Sequence, residues 1–236
     1  MPVTLLHDVY VRFPQAEFVN TYGSTEGGPI TTFLAPADST RKIGSIGRPA
    51  FGVEIRIVGT SDETVPRGNV GELLVRSPFV CSGYWNQPAE TAASTLNGWW
   101  RTGDLVSLDQ DGFLWIEGRK TDMIISGAEN IYPIEIERII AALPGVTEVS
   151  VVGVPDDVWG EAVVAFVVGT PGFNLDASTI IDHCKVHLAS YKKPKHVRFV
   201  NSLPRTTVNK VSKAQLRMQF RSSLFNCVDC GNRPVI

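Results

Sequence analysis

Nine residues near the amino terminus form a polar, glycine-rich segment of the type that contacts phosphates. The segment reads Asn20-Thr21-Tyr22-Gly23-Ser24-Thr25-Glu26-Gly27-Gly28 and follows a predicted short strand, Phe18-Val19. Glycines let a backbone approach a phosphate closely, hydroxyls can donate to phosphate oxygens, and a carboxylate can hold Mg²⁺. A tyrosine in such a loop offers a flat face to a base. Taken alone, a plain surface turn explains the segment equally well.

Three further segments combine charged side chains with turn-forming residues. In Trp99-Trp100-Arg101-Thr102-Gly103-Asp104 the carboxylate is predicted to follow a tight turn. It could accept two hydrogen bonds from a vicinal diol such as ribose, although an Asx turn is the better explanation of this segment alone. The stretch Gly118–Pro133 carries charged residues before an apolar strand and a glycine loop, as a linker and hairpin would. The basic stretch Leu203–Lys213 could be a solvated face.

The elements that must position these segments indicate an α+β fold. Residues 3–13 have the spacing of a short amphipathic helix, and Pro14 ends it. From about residue 43 to 117, short strands alternate with turns, and the alternation within Val53–Val58 predicts sheets with one wet face, as in a small β-barrel or sandwich. The other strands predicted there are Gly71–Arg76 and Phe113–Ile116.

After Gly118 the order of elements is that of a compact αββαβ domain. The predicted elements are helix Ile134–Leu143, strands Val149–Val154 and Ala162–Val168, helix Ala177–Leu188 and strand Val197–Val200. Near-continuous hydrophobicity predicts that the first two strands are buried on both faces. We therefore expect three parts: 1–118, the carboxyl-terminal portion of a larger domain with a small β-barrel-like subdomain; 119–218, a small domain; and 219–236, a tail.

The bulk composition excludes several classes of function. With 43% hydrophobic residues and a net charge of −2, the 236 residues describe an ordinary globular protein. We expect no nucleic-acid or anionic-membrane partner, since either would need a basic excess. No run is apolar for long enough to span a bilayer, and the amino terminus makes a poor signal peptide. Four cysteines are too few for a disulfide framework, so a reducing, cytoplasmic location fits best.

Two other clusters are better explained without a ligand. The Cys227-Val228-Asp229-Cys230 pair lacks the second pair that a structural zinc site needs, and its place near the terminus does not suit a redox motif. His183 and His187 could share a helix face, but no third ligand lies at a supporting spacing. We expect a tail with two thiols and a solvated helix face.

Taken in order, the four segments resemble the motifs of the adenylate-forming superfamily, which includes acyl-CoA synthetases, firefly luciferase and peptide synthetases. The resemblance covers residues 1–217 and is specific, because all four motifs recur in order at plausible spacings. It implies ATP-dependent activation of a small-molecule carboxylic acid, as in fatty acid metabolism, and transfer of the acyl group to coenzyme A. The implied cofactors are ATP, Mg²⁺ and CoA. Because only 26 residues follow Lys210, a free-standing acid–CoA ligase is favoured over a peptide-synthetase module, and nothing supports an oxygenase.

The resemblance also implies which residues hold the nucleotide. Tyr22 would stack on adenine, Thr25 would contact phosphate, and Glu26 would ligate Mg²⁺. Asp104 would hold the ribose hydroxyls, with Arg119 nearby on ribose or phosphate. The other residues implied in this loop are Asn20, Thr21, Gly23 and Ser24.

Residues implied in the small domain serve both half-reactions. Residues 119–122 would be the hinge about which this domain rotates, after which Ser126 and Gly127 would face the CoA pantetheine. During adenylation Lys210 would reach the carboxylate and the α-phosphate. The chemistry brings two anions together, so Mg²⁺ on Glu26 and the Lys210 ammonium would provide preorganised electrostatic stabilisation.

Three positions depart from the family pattern. Thr121 stands where a charged hinge residue is common, so the usual charged pivot is replaced while the resemblance still implies the rotation. Ala128 stands where a second glycine is common at the CoA tunnel. Asn209 replaces the glycine before the lysine, a mild change because asparagine also tolerates left-handed turns.

The family's Ser/Thr/Gly-rich phosphate loop, which ends in Pro-Lys-Gly, is absent from the 236 residues. We therefore expect a carboxyl-terminal fragment that is inactive alone and whose natural partner is the missing amino-terminal half of the same enzyme. Two alternatives stay open: a non-catalytic truncated protein or binding module, and a half-enzyme that performs at most thioester formation.

Overall fold

The computed structural model describes residues 3–228, without the side chains of residues 3–5, 7 and 223–228. Cys230 lies outside the described residues, and so does the side chain of Cys227. The chain divides between Lys120 and Thr121 into two compact units. The sequence-based ranges 1–118, 119–218 and 219–236 stay predictions of functional domains. Within the described residues no helix is both long and apolar enough to cross a membrane.

The first unit begins with the predicted amphipathic helix, α1, and continues mainly as short antiparallel strands. Its helices are α1 (Val3–Arg12), α2 (Pro36–Ser39) and α3 (Pro88–Ala93). Its strands are β1 (Asn20–Ser24), β2 (Gly28–Leu34), β3 (Arg48–Pro49), β4 (Glu54–Val58), β5 (Gly71–Arg76), β6 (Thr95–Leu96), β7 (Trp99–Leu108) and β8 (Leu114–Arg119). They form one sheet of order β1-β2-β3 and another of order β4-β5-β7-β6, with β8 also paired to β7.

The predicted strand at Phe18-Val19 is wrong, because these residues are irregular and the strand begins at Asn20. The ring of Phe18 instead packs edge-on against Tyr10 of α1, with centroids 5.3 Å apart. The glycine-rich segment is therefore itself strand β1 followed by a turn, rather than a loop after a strand.

The prediction of one wet face is also wrong for β5, which is buried on both faces from Gly71 to Val75. Leu73 and Val75 belong to the main core of this unit. Leu74 packs on the opposite face with Val58 and Trp99. The guanidinium of Arg76, 4.4 Å from the Trp99 ring centroid, covers that indole in turn. Alternation along one strand does not predict that an aromatic ring and an arginine from elsewhere cover its second face.

The second unit has the predicted αββαβ order within a larger set of elements. Its strands are β9 (Ile124–Ser126), β10 (Glu129–Ile131), β11 (Val146–Asp156), β12 (Gly160–Gly169) and β13 (His196–Phe199). Its helices are α4 (Pro133–Ala141), α5 (Ala177–His187) and α6 (Lys213–Val228), besides a short 3₁₀ turn at Ser190–Lys192. Another 3₁₀ turn, Lys120–Asp122, includes the point at which the chain divides. Helix α6 extends into residues that the sequence analysis assigns to the tail.

Burial of β11 and β12 on both faces is confirmed. Their sheet has the order β10-β9-β12-β11, and β13 pairs in parallel with β12. One face packs against Ile136 and Ile140 of α4 and Ile180 of α5. The other packs against Leu216 and Phe220 of α6. Two helical layers around one sheet explain why these strands are almost continuously apolar.

A two-residue turn joins β9 to β10 and has positive φ at both positions, +59° at Gly127 and +67° at Ala128. Glycine adopts this conformation freely, whereas a Cβ makes it unfavourable. A Cβ added at Gly127 would also lie 2.8 Å from Cε3 of Trp159. This turn therefore requires glycine at its first position and carries strain at Ala128.

We expect Ala128→Gly to raise the free energy of unfolding by about 1 kcal/mol, since it removes the left-handed strain of a Cβ. The matched control is Ala141→Gly at the exposed end of α4, which should lower the free energy of unfolding by roughly 0.5–1 kcal/mol. Urea denaturation of the 236-residue chain measures both. Equal destabilisation by the two substitutions would contradict the strain at Ala128.

Candidate functional site

Three of the predicted nucleotide residues lie together in the first unit. The hydroxyl of Tyr22 donates to Oδ2 of Asp104 over 2.6 Å, and Nε of Arg119 lies 2.9 Å from Oδ1. Asp104 is 7% exposed as a residue, whereas the Arg119 side chain is 60% exposed. The structure thus gathers a buried carboxylate, a phenol and an exposed guanidinium from segments that are far apart in the sequence.

One strand pairing and one hydrogen bond from β1 bring this cluster together. Asp104 faces Arg119 across the β7–β8 ladder. The expectation that Asp104 follows a tight turn is wrong, because it lies inside β7 just after Gly103, at φ +71°, where the ladder shifts register. The hydroxyl of Thr102 bridges this irregularity, accepting from the Asp104 amide and donating to the Leu73 carbonyl.

The turn between β7 and β8 fixes the register that places Asp104 opposite Arg119. Asp109 accepts hydrogen bonds from the Phe113 amide, the Trp115 indole and the Lys42 ammonium. Burial opposes ionisation, but these donors outweigh it and lower the pKa of Asp109 to about 2. The carboxylate therefore holds the turn closed at neutral pH.

The phenol of Tyr22 stays protonated throughout the physiological range. Burial and then the Asp104 charge raise its pKa well above the ordinary value of a tyrosine. Tyr22 and Arg119 each occupy part of the carboxylate that was predicted to hold ribose. Each carboxylate oxygen nevertheless has a second lone pair, so Asp104 can still accept a ribose hydroxyl on either oxygen.

Thr25 and Glu26 lie at the turn of the β1–β2 hairpin. Oε1 of Glu26 accepts a hydrogen bond of 2.9 Å from the Tyr84 hydroxyl, and its backbone carbonyl accepts from the Cys81 amide. Sequence reasoning missed Tyr84, because it lies 58 residues away and nothing local signals the contact. Tyr84 is itself packed edge-on against Trp100, which makes it a defined partner for the carboxylate.

Glu26 can serve as one protein ligand of Mg²⁺. Proteins commonly bind Mg²⁺ through one or two carboxylates together with substrate phosphates. Glu26 is half-buried at an open turn, with Thr25 beside it exposed to solvent. Across the described part of the chain, no group of three or more histidine, cysteine, aspartate or glutamate side chains forms a complete metal site.

The remaining residues of the predicted loop mainly shape the hairpin. The Asn20 amide donates to the Ser45 carbonyl, and the Ser24 hydroxyl accepts from the Gly27 amide. A Cβ at Gly23 would lie 2.4 Å from the Pro29 carbonyl oxygen, so this position needs glycine for close strand packing. Thr21 is exposed on the same strand.

The second unit contains a cavity of about 460 Å³ beside the β9–β10 turn. Ser126 and Gly127 line it together with residues that were not predicted. Those residues are Glu129, Trp159, Ala162, Val163, Ser190, Tyr191, Lys193 and Lys195. Two aromatic rings and two lysines around a cavity of this size suit a ligand that has both a flat ring and phosphates.

Lys210 lies exposed in a tight turn of the second unit. Its carbonyl accepts from the Thr206 amide, and Asn209 adopts φ +62°. Arg205 ties the turn down, because it donates to the Asn209 carbonyl and pairs with Glu148 of β11 at 2.6 Å. The turn therefore presents the lysine from a fixed backbone.

The histidine pair has a local explanation. His187 is exposed, and its Nδ1 lies 2.9 Å from the His183 carbonyl oxygen of the preceding turn of α5. The solvated helix face expected there agrees with this geometry. Cys81 and Cys184 are free thiols, and burial raises the pKa of Cys184 to about 11, as suits a core residue.

The chain resembles known enzymes over most of its length. Residues 1–85 match the AMP-binding enzyme family, and residues 135–210 match the AMP-binding enzyme C-terminal domain. The chain is 46% identical over 217 residues to an indoleacetate–CoA ligase of Aromatoleum aromaticum, and 42% identical over 203 residues to a feruloyl-CoA synthase of an Amycolatopsis species. These alignments cover 92% and 86% of the chain, but only 42% and 41% of the two relatives.

Solved structures of the same kind superpose on the chain. O-succinylbenzoate CoA synthetase from Bacillus subtilis, in complex with its acyl-adenylate intermediate, matches with a TM-score of 0.82 and 37% identity over 92% of the chain and 44% of the synthetase. The same enzyme has also been solved with ATP and magnesium ion, and matches with a TM-score of 0.81. The chain belongs to the family of AMP-binding, adenylate-forming enzymes, in which its relatives are acyl-CoA ligases.

Proposed function

We propose that this chain contributes the ribose, metal and thiol contacts of an acid–CoA ligase, which forms an acyl-adenylate from a carboxylic acid and ATP and transfers the acyl group to CoA. The observation that carries the proposal is the cluster around Asp104. A buried carboxylate held by Tyr22 and Arg119 keeps lone pairs for two hydroxyls, which a vicinal diol supplies.

The adenylation roles follow from charge and position within each unit. Attack of a carboxylate on the α-phosphorus requires neutralisation of two anions. A bound Mg²⁺ would supply part of that positive charge. Glu26 would hold it through Oε2, the oxygen that does not accept from Tyr84. Thr25 would donate to phosphate, and the Lys210 ammonium would reach the carboxylate and α-phosphate. We assign residues 119–122 to the hinge about which the second unit would rotate between the two half-reactions.

CoA is proposed to bind at the cavity beside the β9–β10 turn. Ser126 and Gly127 leave room for a thin pantetheine chain, since Gly127 has no side chain. Trp159 and Tyr191 offer flat faces to an adenine, and Lys193 and Lys195 offer positive charge to phosphates. The proposed location is a reducing cytoplasm, where ATP and CoA are available.

The acyl substrate is proposed only as a small-molecule carboxylic acid. The relatives act on chemically different acids, an aryl acetate and a hydroxycinnamate by their names, so the family does not fix the acyl group. The chain spans 42% of the length of the first of these ligases, and the activity of the whole protein is therefore a proposal.

A second candidate function is thioester formation without adenylation. It is favoured by one specific observation: the second unit contains a cavity that suits CoA, whereas the 236 residues contain no stretch that ends in Pro-Lys-Gly. In this reading the chain would take a preformed acyl-adenylate and transfer its acyl group to CoA.

We expect Asp104→Ala to weaken binding of AMP to the chain by about 10–100-fold, because hydrogen bonds to a charged acceptor contribute roughly 1.5–3 kcal/mol. Titration calorimetry with AMP and with its 2′,3′-dideoxy analogue measures the effect. The unaltered chain should prefer AMP, and the variant should lose that preference. Asp111→Ala, at an exposed carboxylate in the β7–β8 turn, is the control. Equal preference for AMP in all three chains would contradict the ribose role.

We expect Lys210→Ala to slow adenylate formation by about 10²–10³-fold, since it removes one preorganised charge from the transition state. A chimera of the front part of the indoleacetate–CoA ligase with this chain provides the assay. ATP–pyrophosphate exchange reports adenylation, and thioester formation from supplied acyl-adenylate reports transfer, which should stay near the unaltered rate. Lys185→Ala, on the exposed face of α5, is the control. Equal loss of both half-reactions would rule out this role of Lys210.

We expect the 236-residue chain by itself to show no ATP–pyrophosphate exchange, because it holds ribose and metal contacts without the triphosphate loop. The chimera serves as the positive control for that measurement. Release of thioester from supplied acyl-adenylate by the chain alone would favour the second candidate function. Robust exchange by the chain alone would refute the expectation that it lacks part of the site.

A further inference from the structure

Asp156 ends strand β11 and occupies the turn that leads into β12. Its Oδ1 accepts hydrogen bonds from the backbone amides of Val158 and Trp159, at 3.1 and 3.0 Å. Its Oδ2 accepts from the ammonium of Lys195 at 2.5 Å. The carboxylate side chain is only 11% exposed, although the turn around it is open to solvent. One carboxylate therefore has three donors and joins two separate segments of the second unit.

Those two segments form part of the cavity beside the β9–β10 turn. Trp159 comes from the β11–β12 turn, and Lys195 from the segment before β13. The Trp159 carbonyl accepts from the Gly127 amide at 2.9 Å, and its ring lies against Gly127. Asp156 thus fixes the backbone of the residue whose ring and carbonyl both contact the predicted CoA turn.

The same carboxylate sets the charge at the cavity. The Lys195 ammonium, followed by the Trp159 amide, lowers the pKa of Asp156, so the side chain is ionised at neutral pH. It pairs with the Lys195 ammonium and fixes the direction of that side chain. The ammonium of Lys193 donates to the Ser190 carbonyl at 2.9 Å, and that bond does not compensate its charge. Lys193 therefore adds positive charge at the same cavity.

We infer that Asp156 is a positioning residue of this cavity, which holds Trp159 and Lys195 in the arrangement that receives CoA. The inference rests on the proposed function, in which the cavity takes CoA. An exposed indole on an untethered turn would have to be ordered during binding, at a cost in affinity. Two amide bonds to one carboxylate order the turn beforehand, and the ion pair does the same for the lysine.

Two substitutions separate these contributions. Asp156→Asn keeps an oxygen that can accept from the Val158 and Trp159 amides but loses the charge that pairs with Lys195. Asp156→Ala loses both. The matched control is Asp176→Ala, which removes the side chain that caps α5 in the same unit by accepting from the Thr179 amide at 2.7 Å. The control costs helix stability without touching the cavity.

The experiment measures CoA affinity by calorimetry and amide hydrogen exchange by NMR, both on the 236-residue chain. We expect Asp156→Ala to weaken CoA binding about tenfold, because Trp159 is no longer preorganised. Exchange at the Val158 and Trp159 amides should accelerate in the same variant. Asp156→Asn should retain most of their protection and bind CoA within about threefold of the unaltered chain. Asp176→Ala should leave both measurements unchanged.

Each other outcome overturns the inference in a recognisable way. If Asp156→Ala binds CoA as tightly as Asp176→Ala, Asp156 is not a positioning residue, although the cavity still takes CoA. If the unaltered chain does not bind CoA, the proposed CoA site fails and the inference fails with it. If Asp156→Ala does not fold, the Asn variant decides: rapid exchange at the two amides despite native CoA affinity would show that tethering the turn is irrelevant to binding.

Discussion

The burial of the Asp104 carboxylate is the constraint on which the first unit's site depends. An ionised group at 7% exposure needs compensating donors, and here they come from two separate strands. Tyr22 supplies a hydroxyl from β1, and Arg119 supplies a guanidinium from β8. The requirement to pair one carboxylate therefore fixes the glycine-rich hairpin beside the β7–β8 ladder. A carboxylate paired in this way still has lone pairs that neither partner uses.

Glycine and a bulky aromatic residue impose a comparable constraint on the second unit. The ring of Trp159 occupies the space that a side chain at position 127 would need. This contact explains why the turn has glycine there, and it places the indole in the wall of the cavity beside the turn. Ala128 next to it shows that a residue with a Cβ can adopt positive φ in this turn, at some cost in stability. At position 127 a Cβ would in addition clash with the indole ring.

The sequence predicts an element well where one apolar periodicity dominates. It predicts burial poorly where a side chain that is distant in the sequence covers the element. Helix α1, strands β11 and β12 and helix α5 are predicted to within a few residues, because each has one apolar pattern over most of its length. The covered face of β5 could not be predicted, because it depends on where the Trp99 ring and Arg76 pack.

The same division holds for the candidate site. Tyr22, Asp104 and Arg119 were singled out from motifs, and the structure brings them together. Their mutual hydrogen bonds were not foreseen, nor was Tyr84 as the partner of Glu26. Residue type and spacing indicate what a side chain can bind. They do not indicate which other protein group takes up its first lone pair, since that depends on strand register.

The turn that carries Lys210 shows how such a charge can be presented without being buried. An exposed lysine has high conformational entropy, so its usefulness as a preorganised charge depends on the rigidity of its backbone. Arg205 fixes that backbone at the Asn209 carbonyl and ties it through Glu148 to β11, the same strand that ends at Asp156. The lysine turn and the turn that carries Trp159 are thereby attached to one strand of the central sheet, so both are held within the same rigid layer of the second unit.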